Sequence, residues 1–365
     1  MKVLALNVGS SSLKAVVRSE ASTPPLLSVL AERIGSKGSV LRIAGEDSTV
    51  PLGGRMHDAV EAVGQILAER GLTPSAVAHR VVHGGPDHFQ PSVVDDHLLS
   101  DLVAVAQMAP LHMPAALETL ELSRRIWPGA TQVACFDTGY HHDLPETSTR
   151  LPVPAELAQL GIRRYGFHGL SVKSVLMARP DVADAVVAHL GSGCSVTAVG
   201  PDRLPRHTTM SFTPNSGMMS STRCGDIDPE IVLFLMEHHR FTAERLRLML
   251  DQQSGLYGVS AGRLDMRDLL HADDHESRLA VDMFVSSAAM AVASCATTLD
   301  EWRWLVFTGG VGEHAASVRN RICDRLRLAD VEVIVVAADE ERVMDDMTRN
   351  LMGSGRPTPL AKPEA

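Results

Sequence analysis

Near its start the chain alternates two apolar runs around a turn of small residues. Residues 3–8 read Val-Leu-Ala-Leu-Asn-Val, Gly9-Ser10-Ser11-Ser12 follows, and residues 13–17 read Leu-Lys-Ala-Val-Val. Apolar segments on both sides of a glycine and serine turn predict strand, turn, strand. The same form returns at residues 185–190, Gly191-Ser192-Gly193 and 194–199. That recurrence predicts an internal pseudo-repeat, and so two domains of related plan.

Helix-period segments fill the rest. Residues 57–70 carry Val60, Val63 and Leu67 on one face and stop at Gly71. Pro114 opens a helix that runs to residue 126 and ends at Trp127-Pro128. Further on, Asp228-Pro229 caps an apolar helix through residue 237, and residues 276–299 read as a long, largely buried helix. A strand at 304–308 leads through Gly309-Gly310-Val311-Gly312 into a helix with Val318, Ile322 and Leu326 in register. The last strand, 331–337, feeds a helix from 340 to 352, capped by Asp339 and ended by Gly353. Strands alternating with helices predict mixed α/β layers. Residues 147–154 are the expected linker.

Composition narrows the function. At 365 residues and 45% hydrophobic content the chain can build two domain cores. Only 4% of residues are aromatic, which supplies poor stacking platforms for single-stranded nucleic acid. A net charge of −10 also argues against a nucleic-acid partner. An anionic substrate must then be held by a few locally placed Arg or Lys. The five cysteines are scattered with no CxxC pair, as expected of reduced thiols in a cytoplasmic protein. The opening residues read as a strand rather than a signal peptide, and no stretch reads as a membrane span.

Three apolar strands end in small-residue turns, at 9–12, 191–193 and 309–312. Glycine lets backbone N–H groups approach phosphate oxygens closely; each turn alone reads first as a plain turn, but three such turns after three strands point to a phosphate cradle. None is a Walker A loop. Arg80 lies in a short apolar strand before Gly84-Gly85, and Arg223 lies in a tight loop before a helix. The planar guanidinium fork suits carboxylate and phosphate, while an Arg beside glycines is also a common solvated surface group. Asp137 follows an apolar strand, a frequent position for a magnesium-binding or catalytic carboxylate. His112 and His168 sit among Pro and Gly, but with 16 His in the chain a structural role competes for each. The doublets His141-His142 and His238-His239 lack a zinc pattern such as HExxH.

In order along the chain stand residues 6–14 (Leu-Asn-Val-Gly-Ser-Ser-Ser-Leu-Lys), 79–85 (His-Arg-Val-Val-His-Gly-Gly) and Ala109-Pro110-Leu111-His112. Then come Phe136-Asp137-Thr138, Tyr165-Gly166-Phe167-His168-Gly169 and Phe212-Thr213-Pro214. Met218-Met219 with residues 222–229, Asp265-Met266-Arg267-Asp268 and residues 307–313 complete the series. This series resembles the acetate kinase family of acid kinases over nearly the whole chain. The resemblance implies an α/β, two-domain fold of the sugar kinase, heat-shock protein and actin class, ribonuclease H-like, with a duplicated βαβ-type core. It implies an N-terminal acid kinase domain at 1–147, joined by the C-terminal helix 341–352, and a nucleotide-binding domain at 148–340. Residues 353–365 are expected to be a disordered tail.

The resemblance also implies roles. Asn7 and Glu340 would hold Mg2+, with Mn2+ as a substitute. Ser10, Ser12, Lys14 and the turn His189, Leu190, Gly191, Ser192, Gly193 would grip the phosphates of ATP or ADP. Asp265, Met266 and Arg267, with Gly310, Val311, Gly312, Glu313 and His314, would line the nucleoside pocket. Arg80 would bind the acid, and Val82, Leu111, Phe167 and Pro214 would receive its methyl group. Asp137, His168, Arg223 and His112 would be the catalytic set. The expected reaction is reversible transfer of the γ-phosphoryl of ATP to acetate by a cytoplasmic homodimer, with no nucleic acid or membrane partner. The competing expectations are a propionate or butyrate kinase of the same family and a nucleotide-binding sensor with weak turnover. Several positions depart from the family: Ser192 and His314 replace Asn, Met113 and Ala116 replace Asn, His207 replaces Asp, and Ser220 replaces Gly.

Overall fold

The computed structural model describes residues 1–9, 11–20, 24–36 and 38–353. Ser10 of the first turn, and the expected tail beyond Gly353, lie outside the described residues. The chain divides into unit 1, Met1–Gly139 with Asp339–Ala365, and unit 2, Tyr140–Ala338.

Unit 1 is built on strands β1 (Lys2–Val8), β2 (Ser12–Ser19), β3 (Leu27–Glu32), β4 (Val40–Ile43), β5 (Thr49–Pro51), β6 (Ala76–Val81), β7 (Ser92–Val93) and β8 (Thr131–Phe136). They form one sheet in the order β5-β4-β3-β2-β1-β6-β8-β7. The hairpin partners are antiparallel, whereas β1, β6 and β8 run parallel. β1 is covered on both faces, with Val3, Leu4, Ala5 and Leu6 at most 1% exposed, which explains its near-continuous apolar run. The helix Met56–Glu69 supplies Met56, Ala59, Val60, Val63 and Leu67 to the core, an i, i+3, i+4, i+7 stripe.

Unit 2 holds β9 (Ala185–Leu190), β10 (Cys194–Val199), β11 (Pro205–Thr208), β12 (Trp304–Thr308) and β13 (Glu332–Val335), in the order β11-β10-β9-β12-β13. Again the first three are antiparallel, and β9, β12 and β13 are parallel. Set against β3-β2-β1-β6-β8, the strand order and directions are the same. The two glycine-turn hairpins seen in sequence, β1–β2 and β9–β10, occupy the same place in the two sheets.

Several expectations need correction. The division falls at Gly139/Tyr140 rather than at 147/148, and residues 147–154 are not a linker. Tyr140 Oη donates to the Arg203 carbonyl at 3.0 Å, Ser148 Oγ to the Arg206 carbonyl at 2.7 Å, and Arg164 Nε to the Ser148 carbonyl at 2.9 Å. Those bonds commit residues 140–149 to unit 2. The turn at 309–312 is itself a short helix, Gly309–His314, separated by Ala315 from the helix Ala316–Leu326. The helix His275–Ala296 is only half covered: Phe284, Val285, Ala288 and Val292 are fully buried, while Leu279, Met283 and Met290 are exposed. It is also long and apolar enough to cross a membrane by length and composition, against the expectation that no stretch is. Its buried face is part of the unit 2 core.

Candidate active site

In unit 1 the parallel strands β1, β6 and β8 end side by side, the edge where open α/β sheets collect functional groups. Asn7 lies next to the end of β1, opposite Lys14 on β2, and Arg80 lies on β6 opposite Cys135 of β8. Asp137 follows β8, its N–H bonded to the Val81 carbonyl at 2.9 Å. Two glutamates open the helix Glu340–Gly353 and complete the cluster. Arg80 Nη2 donates to Asp137 Oδ2 at 2.8 Å and Nη1 to Asn7 Oδ1 at 3.3 Å. Asn7 Nδ2 donates to Glu340 Oε2 and to Glu341 Oε1, each at 2.8 Å. Lys14 Nζ donates to Glu341 Oε2 at 2.6 Å. Arg80 Nε is buried without a hydrogen-bond partner among the described residues, and Glu340 Oε2 is 3.9 Å away.

Three carboxylates thus face two cations. Burial opposes the charge on Arg80, but Asp137 and Glu340 outweigh it and raise its pKa. Burial pushes the Glu340 carboxyl up, Arg80 opposes this, and Asp137 and Glu341 add to it. A surplus of hard oxygen donors fits Mg2+, which is usually held by one or two carboxylates together with water and phosphate. Among the described residues, no three His, Cys, Asp or Glu side chains form a cage of their own. Asn7 spends both amide hydrogens on the glutamates, so it orients Glu340. Glu341, only 2% exposed, was missed in the sequence, where Glu340 alone was singled out. Consecutive helix residues point about 100° apart, and sequence does not say which of two adjacent acids turns inward.

The other unit 1 candidates lie nearby in the chain. Val82 is buried, Leu111 is half-buried, and His112 is the residue before the helix Met113–Ile126. The Gly84-Gly85 break is steric: a Cβ on Gly84 would lie 1.7 Å from the His88 carbonyl oxygen.

In unit 2 the groups gather around the β9–β10 turn. His168 has left-handed backbone (φ 58°), rare for a non-glycine residue, and stands before the helix Gly169–Ala178. Its ring stacks on that of His189, with centroids 4.3 Å apart. A Cβ on Gly193 would lie 3.0 Å from Arg223 Nη1 and 3.2 Å from His168 Nε2, so glycine there keeps both groups against the turn. Arg223 Nη1 donates to the Pro214 carbonyl at 3.0 Å. The Ser192 carbonyl accepts from Ser221 N–H at 3.3 Å, tying the turn to the Arg223 loop. Phe167 and Pro214 are buried, and the Ser192 residue is exposed.

The nucleoside candidates divide. Gly310 has open space where a Cβ would stand, and His314 is exposed. Glu313 Oε1 instead accepts from Gly309 N–H and Ala338 N–H, each at 3.1 Å, bracing the ends of β12 and β13. Leu190 and Met266 place their side chains in the core, leaving only backbone for a ligand. Asp265 caps the helix Met266–His271 and is clamped by the Arg267 guanidinium at 2.5–3.2 Å. Ser12 shapes the first turn, its carbonyl accepting from Gly9 N–H at 2.8 Å.

A twice-repeated ribonuclease H-like sheet, carrying an Arg–carboxylate cluster in one unit and a glycine turn with His and Arg in the other, is the fold of sugar kinases, heat-shock proteins and actin. Comparison with known proteins narrows this class. The Acetokinase family profile matches residues 2–351, and the chain belongs to that family. It is 40% identical over 344 residues to the acetate kinase of Rhodopseudomonas palustris, covering 88% of this chain and 85% of the relative. Among solved structures it resembles a propionate kinase from Francisella tularensis (TM-score 0.87, 31% identity, 95% of this chain and 98% of that one). The acetate kinase of Porphyromonas gingivalis matches with a TM-score of 0.83 and 28% identity over 96% of this chain and 99% of that one.

Proposed function

We propose that this chain is a magnesium-dependent, cytoplasmic acetate kinase that transfers the γ-phosphoryl of ATP to acetate, reversibly, giving acetyl phosphate and ADP. The observation that carries this reading is Arg80, a guanidinium held between Asn7, Asp137 and Glu340 whose Nε makes no hydrogen bond among the described residues. A small carboxylate reaching that nitrogen would complete its bonding. Acetate is already ionised at neutral pH, so the nucleophile needs no general base. One carboxylate oxygen forms the bond to γ-phosphorus as the bond from γ-phosphorus to the β,γ-bridging oxygen breaks, and ADP leaves with that electron pair. The barrier is the approach of one anion to another, which positioned cations and alignment lower. Arg80 binds and orients the acid, while His168 and Arg223 donate to the equatorial oxygens of the transferring group. His112 is a further phosphoryl contact. Asp137 keeps Arg80 in place and organises water. Glu340, its carboxylate oriented by Asn7, would hold Mg2+, which would neutralise charge on the phosphates.

The test is ADP release with C2–C4 acids, checked by trapping the acyl phosphate with hydroxylamine. In this reading Val82, Leu111, Phe167 and Pro214 are the apolar side chains that would receive the methyl group. An added methylene gains about 0.8 kcal/mol where it fits and clashes where side chains cannot yield. The expected order of kcat/KM is acetate, then propionate, with butyrate far behind. The likeness to a propionate kinase gives the second reading, which a higher kcat/KM for propionate than for acetate would establish.

The enzyme is a homodimer in this reading. The helix Pro229–His239 buries no residue, and Ile231, Leu233, Phe234 and Met236 are 42–52% exposed. Leu279, Met283 and Met290 are exposed on the outer face of His275–Ala296. So much exposed apolar surface in unit 2 supports the reading of an interface with a second copy. Light scattering should give twice the chain mass, and Phe234→Glu should lower it towards one.

A further inference from the structure

Two serines outside the proposed catalytic set are crossed between the stacked histidines. Ser195 on β10 is directly opposite His189 on β9, yet its hydroxyl lies 3.0 Å from Nδ1 of the other ring, His168. Ser171, three residues after His168, lies with its hydroxyl 2.7 Å from His189 Nδ1. Each serine therefore ties the helix start at 168–171 to the β9–β10 hairpin. Both are at most 1% exposed, so water does not compete for these bonds.

The opposite edges of the rings face glycine. His168 Nε2 is 3.2 Å from where a Cβ on Gly193 would be. His189 Nε2 is 3.3 Å from that position on Gly191 and 3.2 Å from that on Gly309. The Nε2 atoms of both rings thus border the backbone of the two glycine turns, beside Arg223 Nη1.

A neutral imidazole carries its hydrogen on one nitrogen only, and the bond made by the other nitrogen decides which. Two rings stacked at 4.3 Å also repel if both are protonated, so the pair cannot readily supply donors by holding two positive charges. From this geometry we infer that Ser171 and Ser195 are positioning residues for phosphoryl transfer. Their hydroxyls donate to Nδ1 and hold His189 and His168 as neutral Nε2–H donors to phosphate oxygens at the glycine turns. The inference rests on the kinase reading above, but tautomers are measurable without turnover.

Long-range 1H–15N NMR of the full chain reads them, with signals assigned against H168Q and H189Q variants. The expected wild-type result is Nε2–H on both rings, and added inorganic phosphate should shift those resonances. Ser195→Ala should mix or reverse the His168 tautomer and lower kcat about 5- to 20-fold, the worth of one buried hydrogen bond. Its KM for acetate should stay within about twofold. Ser195→Thr, which keeps the hydroxyl, should restore most of kcat. Ser171→Ala should do to His189 what Ser195→Ala does to His168. Nδ1–H tautomers in the wild type overturn the inference even if every variant folds poorly. Unchanged tautomers and kcat in both alanine variants overturn it as well. A wild type with Nε2–H on both rings but no acyl phosphate product would instead reject the kinase reading.

Discussion

Arg223→Ala is expected to lower kcat about 100-fold or more while KM for ATP changes by no more than about threefold. Backbone hydrogen bonds hold the loop around Arg223 besides the side-chain bond to the Pro214 carbonyl. Ser220 N–H donates to the Arg223 carbonyl at 3.1 Å, and Cys224 N–H to the Leu250 carbonyl at 3.1 Å. Gly225 takes φ +73° where a Cβ would meet the Gly217 carbonyl at 2.5 Å. Truncating the side chain should leave this backbone in place and remove one charge-assisted donor from beside Gly193. Such a donor gains most as charge spreads over the transferring phosphoryl, so the loss belongs to kcat. Arg223→Lys keeps the charge but not the fork, and should fall between wild type and alanine. Steady-state kinetics with purified variants of unchanged melting temperature decides it. A kcat for Arg223→Ala within a few-fold of wild type would remove Arg223 from the chemistry.

Much of the fold was legible because the signals were local. The hairpins at 2–19 and 185–199 announce themselves through apolar runs and glycine turns, and their equal placement in two sheets bears out the repeat read from the chain. What sequence did not give were facts of direction and coverage. The helix Pro229–His239 reads as apolar from the sequence, but nothing local says what covers it, and none of its residues is buried within this one chain. The boundary at 139/140 is set by Tyr140 and Ser148 bonding to carbonyls some 60 residues away, a distance at which no local pattern speaks. The same limit governs the site. Arg80, Asp137 and Asn7 stood out through their motifs. Glu341, Ser171 and Ser195 carry no motif and gain their meaning only from partners far along the chain. Met266 shows the converse: it sits in a recognisable motif, but its side chain fills the core and only its backbone is left to meet a ligand.

Arg80→Ala is expected both to raise KM for acetate and to make unit 1 sensitive to pH. The Arg80 side chain is 16% exposed, and it sits against Asp137, which is 1% exposed. Removing one partner of such a buried pair costs about 3–5 kcal/mol, because the other charge loses its close counter-ion. Here three carboxylates lose Arg80, and Lys14 stays bonded to Glu341. The sign of the pH effect follows from Glu340. Its folded pKa already lies above the ordinary 4.5, chiefly through burial, with Arg80 pulling it down. A carboxyl with a raised folded pKa contributes stability that is complete below the unfolded pKa and is lost as pH rises through the folded one. Deleting Arg80 raises that folded pKa further, so the loss deepens and extends to higher pH. Arg80→Ala should therefore melt close to wild type near pH 5 and well below it near pH 8. At about 2–4 °C per kcal/mol for a unit of this size, the gap near pH 8 should be roughly 10 °C. Arg80→Lys should recover most of the stability and little of the acid affinity, since it restores charge without the fork that leaves Nε for a carboxylate. Calorimetry across pH 5–8 measures the first effect, and acetate titration of the rate measures the second. A melting difference independent of pH would show that Arg80 does not compensate these carboxylates, and the carboxylate-binding role argued from the same cluster would fall with it.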